Sequence, residues 1–284
     1  SSSFIYDTTL LGIVSKNAYV DSDQYTKNPI GSGPYKFKEY QEGSQLLLSV
    51  NEDYYGAKPL FKEIAFVLMS SDAAFAAVQS KDVDIAHIDE VLATQQVDGY
   101  NLYSAGSFDF RAISLPTGEV GKTKNDNPYG NDITSNADIR KALAFGVNRN
   151  EIVQNSLNGF GKVTMDLYSG LPWSVDEEIN AKGIKDGDVE TAIKVLEDAG
   201  WVLEVDVRVK DGVKAEFNLY YPANDRGRQN IAMSFSEQAK KLGINITPKG
   251  EDWDFIIANF KSLPFVLAGG EYNPNTMANS IDSR

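Results

Sequence analysis

The chain contains no cysteine and a single histidine, His87, in 284 residues. The first absence excludes disulfides, thiolate metal sites and a cysteine nucleophile. The second leaves little material for a dedicated zinc site or a serine triad, because both draw on imidazole. Basic residues are scarce beside acidic ones, 27 against 40, and the net charge is −13. Such a field disfavours nucleic acid and anionic membrane surfaces as partners, and it also keeps a protein in solution. No apolar run approaches the roughly 18 residues that cross a bilayer, and no signal peptide is visible. Gly31-Ser-Gly33 is no phosphate loop: Pro34 and an alternating strand pattern follow it, where nucleotide binding requires a helix start.

What is present supports real cores. Apolar residues make up 42% of the chain, and the length suits one large or two medium domains. The first part reads as strands. Tyr35–Tyr40 alternates aromatic with polar residues, a turn falls at 41–44, and Gln45–Val50 returns. Further strands are expected at Glu63–Met69, Val83–Ile88 and Phe108–Leu115, with a short helix after Ser70 or Ser71 that places Ala74, Phe75 and Val78 on one face. Residues 116–135 are rich in Gly, Asn, Asp, Pro and Thr, so a domain boundary is expected there, dividing the chain into 1–116 and 117–284.

The second part alternates helices with strands. Asn136 is placed to cap a helix with Ile139, Ala142, Leu143, Gly146 and Val147 inward, and Asn148 to restart it with Glu151 in capping-box position. Asp188 caps another helix that ends at Gly200. A β-α-β run follows: a strand at Glu216–Tyr221, a helix carrying Ile231, Phe235, Ala239 and Leu242, and a strand at Ile244–Thr247. A helix over Asp252–Ser262 and a strand at Pro264–Ala268 complete it. Crossover helices imply a sheet that is parallel at least locally.

Five segments in order carry a resemblance. They are Asn28-Pro-Ile-Gly-Ser-Gly-Pro-Tyr-Lys-Phe37, Asn51-Glu-Asp-Tyr-Tyr-Gly-Ala-Lys-Pro59, Asp138-Ile-Arg-Lys-Ala-Leu-Ala-Phe145 with Asn148-Arg149, Ala192-Ile-Lys-Val-Leu-Glu-Asp-Ala-Gly-Trp201, and Gly269-Gly-Glu-Tyr-Asn-Pro274. Together they resemble the extracellular solute-binding proteins, family 5, of peptide and nickel ABC importers. The resemblance implies an α/β, two-lobed fold of the type-II periplasmic-binding-protein kind. Family members are longer at both ends, so it also implies a chain truncated at both ends. Residues 1–116 would then be part of the lobe that carries the termini in the family, and 117–284 most of the opposing lobe. It further implies a monomeric binder with no catalytic activity and no cofactor, whose partners are a small solute and the membrane subunits of a permease. Its place would be the periplasm, or a lipid anchor on the outer face of the cytoplasmic membrane. Where many relatives carry Asp-Arg this chain has Asn148-Arg149, a neutral change because asparagine caps as aspartate does.

Candidate ligand residues gather where strands end, since open α/β sheets bind ligands beyond their carboxyl edges. The strand at Pro264–Ala268 runs into Glu271, Tyr272 and Asn273, which offer a carboxylate, an aromatic hydroxyl and an amide. In the family's peptide binders an acidic residue in this loop holds the ligand's α-amino group. Glu271 fits that position if Glu-Tyr-Asn is aligned, Asn273 if Asn-Pro is. Trp253 follows the strand at Ile244–Thr247 and resembles a tryptophan that lines the family's pocket. Trp173 sits in a loop that faces the cleft on the same reading, whereas Trp201 reads as core. Arg226 and Arg228 follow the Glu216–Tyr221 strand and are candidates for a ligand carboxylate, or simply an exposed pair. His87 alternates with Val83 and Ile85 and is expected on a strand's inner face. Residues 126–132 have oxygen ligands near a glycine but not calcium-loop spacing. Three rival functions stay open: a nickel or metal-chelate importer component, a carboxylate-based hydrolase, for which no residue pair is singled out, and a ligand-sensing domain of a regulator.

Overall fold

Asp21 caps a short helix, α1 (Ser22–Lys27): its carboxylate accepts from the Gln24 N–H at 2.8 Å. The computed structural model describes residues 14–17, 19, 21–105, 110–122, 126, 128–164 and 185–267. The alternating run after Pro34 becomes β1 (Tyr35–Gln41), which pairs antiparallel with β2 (Gln45–Val50) from Tyr35↔Val50 to Gln41↔Gln45, with one register shift between Phe37 and Glu39. β3 (Glu63–Val67) pairs antiparallel with the other side of β2. Ser70 caps α2 (Ser71–Ser80) through the Ala73 N–H at 3.3 Å, and Ala74, Phe75 and Val78 are its buried face, as their spacing predicts. The expected strand at Val83–Ile88 does not form. No described strand pairs with this segment, and His87 is exposed rather than on an inner face. A period-two pattern makes a strand only where a neighbouring ladder accepts it.

The contacts divide the chain into two compact units between Ile88 and Asp89, not after residue 116. The reason lies in β4 (Ala112–Ser114), which is hydrogen-bonded into the sheet of the second unit, with Ile113 and Leu115 packed on its core. The turn-rich stretch that follows is pinned to that unit. It holds a small hairpin, β5 (Gly121–Lys122) with β6 (Pro128–Tyr129), and the buried Thr134 hydroxyl donates to the Pro116 carbonyl at 2.7 Å. Loop composition here marks turns, not a boundary.

Two capped helices follow. α3 (Ala137–Gly146) starts at Asn136, whose side chain accepts from the Asp138 and Ile139 N–H groups. α4 (Arg149–Leu157) starts at Asn148, which accepts from Glu151 N–H at 3.0 Å. The capping box is only half made. The Asn148 N–H goes to Gln238 Oε1 at 2.6 Å instead, and Gln238 Nε2 returns a bond to the Asn148 carbonyl at 3.2 Å. α5 (Val189–Asp198) is capped by Asp188 and crosses α3 closely enough that a Cβ on Gly146 would lie 2.9 Å from the Ala192 Cβ. A meander follows, β7 (Val202–Glu204), β8 (Val207–Lys210) and β9 (Val213–Lys214).

The central sheet comes last. β10 (Glu216–Pro222), α6 (Arg226–Lys240), β11 (Asn245–Glu251), α7 (Trp253–Asn259) and β12 (Phe265–Leu267) alternate along the chain. The sheet order is β11-β10-β12-β4, with β10 parallel to both neighbours and β4 antiparallel to β12. Ile139, Leu143, Leu196, Trp201, Leu219, Phe235, Leu242 and Val266 form one buried core between sheet and helices. Arg208 is buried beside it because its guanidinium donates to the Leu242 and Trp201 carbonyls, both at 2.8 Å. Among the described residues, β11 is an outer strand of this sheet. Asn245 and Glu251 turn their ladder groups toward β10, so alternation points those of Ile246, Pro248 and Gly250 outward.

Candidate functional site

β10 and β11 end level with each other, Pro222 opposite Glu251, and the Ala223 N–H donates to the Glu251 carbonyl at 2.9 Å. Each strand then turns straight into a helix. Asp225 caps α6 through the Arg228 N–H at 2.8 Å, and Asp252 caps α7 through the Phe255 N–H at 2.7 Å. Two helix starts with their aspartate caps therefore stand side by side at the carboxyl edge, where unpaired N–H groups and helix dipoles converge. The fully buried Ile256 anchors α7, and Phe255 meets Tyr220 of β10 at 5.8 Å between ring centroids.

Three of the candidate residues meet or adjoin here. Trp253, the first residue of α7, is partly exposed. The Arg228 guanidinium lies over its ring, 5.4 Å from the centroid. Arg228 is only 8% exposed; its Nη1 bonds the Asp225 carboxylate, and its buried Nε has no hydrogen-bond partner. Arg226 stands apart from that stack, with Nε 3.9 Å from Asp89 Oδ2. The two arginines therefore do not form one clamp. Glu271, Tyr272, Asn273 and Trp173 lie outside the described residues.

The sequence reading did not single out the acidic partners. Asp89 accepts from the Leu92 N–H at 3.0 Å and faces Arg226, while the Glu90 carboxylate crowds Gly227, where a Cβ would stand 2.1 Å from Oε1. Asn158 Nδ2 holds the Glu90 carbonyl at 3.1 Å. Only the fold brings this segment to the α6 start, so no local signal could reveal it. Asp225 stands at a cap position that the sequence reading passed over. The arginine charges at this edge are thus met by carboxylates of the chain itself. Among the described residues, no group of three or more His, Asp or Glu is arranged to hold a metal ion. An open groove of about 710 Å³ runs along the amino-terminal halves of β10 and β11, between Asn218, Met233, Lys240 and Thr247, and contains none of the candidate residues. Its lining includes the charged residues Asp206, Glu216, Glu237 and Lys240.

Comparison with known proteins identifies the family and the fold. The family model described as "Bacterial extracellular solute-binding proteins, family 5 Middle" matches residues 3–282. "Protein XP55" of Streptomyces lividans is 32% identical over 89% of this chain and 45% of its own length. The "Oligopeptide-binding protein AppA" of Bacillus subtilis is 26% identical over 87% of the chain and 44% of its own. The chain spans about half the length of the curated relatives it matches. NikZ from Campylobacter jejuni, solved in complex with Ni(L-His), superposes with a TM-score of 0.78 at 21% identity, covering 97% of this chain and 54% of that one. The α/β fold is that of the periplasmic binding proteins, and the chain belongs to the bacterial extracellular solute-binding proteins, family 5.

Proposed function

We propose that this chain is part of the substrate-binding component of an ABC importer, which captures a short peptide or related small solute between two lobes and delivers it to a membrane permease. On this reading the unit ending at Ile88 belongs to the lobe that carries the termini in the family, and the unit from Asp89 to most of the opposing lobe. The protein works as a monomer outside the cytoplasmic membrane, without a cofactor and without catalysis.

The observation that supports the reading best is the partly exposed Trp253 ring between two capped helix starts at a parallel sheet's carboxyl edge. An indole face accepts side chains of many shapes, while convergent polar groups fix orientation. Such a surface suits a carrier that must hold related solutes rather than transform one. Arg226 supplies a polar flank. Glu271, Tyr272, Asn273 and Trp173 are proposed to line the same pocket, with Glu271 or Asn273 meeting the ligand's α-amino group. The oligopeptide-binding relative supports a peptide, and the structural neighbour solved with Ni(L-His) supports the alternative of a metal chelate.

Native mass spectrometry of gently purified protein tests this, followed by calorimetric titration with trialanine. We expect co-purified masses that form a ladder of short peptides. Trp253→Ala should weaken trialanine by at least about tenfold, about 1.4 kcal/mol. A single nickel-chelate mass would replace the peptide by a chelate, and release of free alanine from trialanine would overturn the binder reading in favour of a hydrolase.

A further inference from the structure

We infer that Arg228 is a positioning residue: its guanidinium backs the Trp253 indole and fixes the ring face on which a solute stacks, and it does not receive the solute's carboxylate. The inference rests on the reading of Trp253 as a pocket wall and adds to it a specificity rule. Three features of Arg228 carry it. Its side chain is 9% exposed, so its fork is closed to an incoming anion. One aspartate, Asp225, takes both its backbone N–H and its Nη1, and that aspartate is itself fixed as the cap of α6. Its plane is spent on the indole at 5.4 Å. Arginine stacks on an aromatic face while bonding a carboxylate in its own plane, a combination that an ammonium group does not reproduce.

The unpartnered Nε fits the same assignment. A guanidinium placed for hydrogen bonding alone would not leave a buried donor unmet. One placed for stacking tolerates it, because the ring dictates where the group sits. Arg226 is the contrasting neighbour. Its side chain is 37% exposed and its Nε stands 3.9 Å from Asp89, so any solute anion that meets an arginine at this edge meets that one. The consequence for substrate class is that Arg228 contributes equally to free and carboxyl-blocked peptides.

Two measurements on the full chain decide the matter. In the first, protein labelled with 5-fluorotryptophan is observed by fluorine NMR without ligand, with Trp253→Phe assigning the Trp253 line. Arg228→Lys, which keeps the charge and loses the plane, should shift and broaden that line. Asp225→Ser, which keeps a cap and removes the carboxylate, should do the same. The line of Trp201, buried in the core, should stay in place and certify folding. In the second, trialanine and trialanine amide are titrated into wild type and Arg228→Lys. The variant should weaken both by the same factor, within about twofold. An unmoved Trp253 line in both variants, or a loss confined to the free acid, would overturn the inference. If neither peptide binds the unsubstituted protein, the peptide reading fails, and the fluorine spectra still decide the role of Arg228.

Discussion

Leu47 in β2 and Leu219 in β10 both stand in strands with a partner on either side, yet Leu219 is fully buried and Leu47 only half-buried. The difference follows from how each sheet is connected. The antiparallel β1–β2–β3 sheet is closed by local turns, which place no helix between its strands. All of β2 stays half-buried, and Phe66 and Val67 of β3 are exposed. Parallel β10, β11 and β12 can be joined only by crossovers, and α6 and α7 are those crossovers. The connection that makes the second sheet possible also covers it. Burial in this chain is a consequence of topology before it is one of composition.

The most direct way to break that contrast is to truncate both leucines. Leu219→Ala should cost about 2–5 kcal/mol, whereas Leu47→Ala should cost about 1 kcal/mol, since less apolar area is regained by solvent. Urea unfolding measures both, and equal losses would end the distinction. The next largest effect probes the tight seam of the second unit. Gly146→Ala puts a methyl 2.7 Å from Leu242 Cδ1 and 2.9 Å from the Ala192 Cβ, and overpacking should cost about 1–3 kcal/mol in the same measurement. A gain is expected at the margin of that unit. Val205 is β-branched, 99% exposed, and sits at φ +61° in the β7–β8 turn. Val205→Asn should raise stability by about 0.5–1 kcal/mol, read as a higher melting temperature.

The smallest effects separate the units by the origin of their surface electrostatics. The Lys58 ammonium bonded to Glu52 lowers that carboxyl below its usual range in the first unit, while hydrogen bonds from Thr191, chiefly its backbone N–H, lower Asp188 in the second. Both folded values lie below the unfolded ones. Each carboxylate therefore stabilises the fold above its unfolded pKa and loses that contribution as pH falls through the folded value. Glu52→Gln and Asp188→Asn should each flatten the acid limb of stability against pH. Added salt should weaken the Glu52 contribution, which is an exposed ion pair, more than that of Asp188. Equal salt sensitivity would remove the difference in origin.

Most helices and strands were legible because their signals are local. Ser70, Asn136, Asn148 and Asp188 all cap where sequence places them. What failed depends on partners distant in sequence. Val83–Ile88 has a strand's alternation and no described ladder to join, whereas Ala112–Ser114 was read into the wrong unit because its partner is β12. The first turn of the β7–β9 meander, Val205-Asp206, lacks the glycine or asparagine that announces a hairpin, whereas the second, Asp211-Gly212, is such a signal and was passed over. At the candidate site, the strand-end rule picked out Trp253 and the arginines, and all three lie just beyond the ends of β10 and β11. Their contacts were not legible, since the Asp225 bond and the stack on Trp253 join two helix starts rather than one segment.

Pro248 on β11 has a consequence for the company this protein can keep. An outer strand offers foreign chains a row of donors and acceptors, and cross-β fibrils grow by filling such rows. Here the outward row has a ring in place of its middle N–H. A second strand laid against β11 would leave an acceptor unmet at its centre and find the ring in its way. Any extended foreign chain is thereby refused a continuous ladder at this edge.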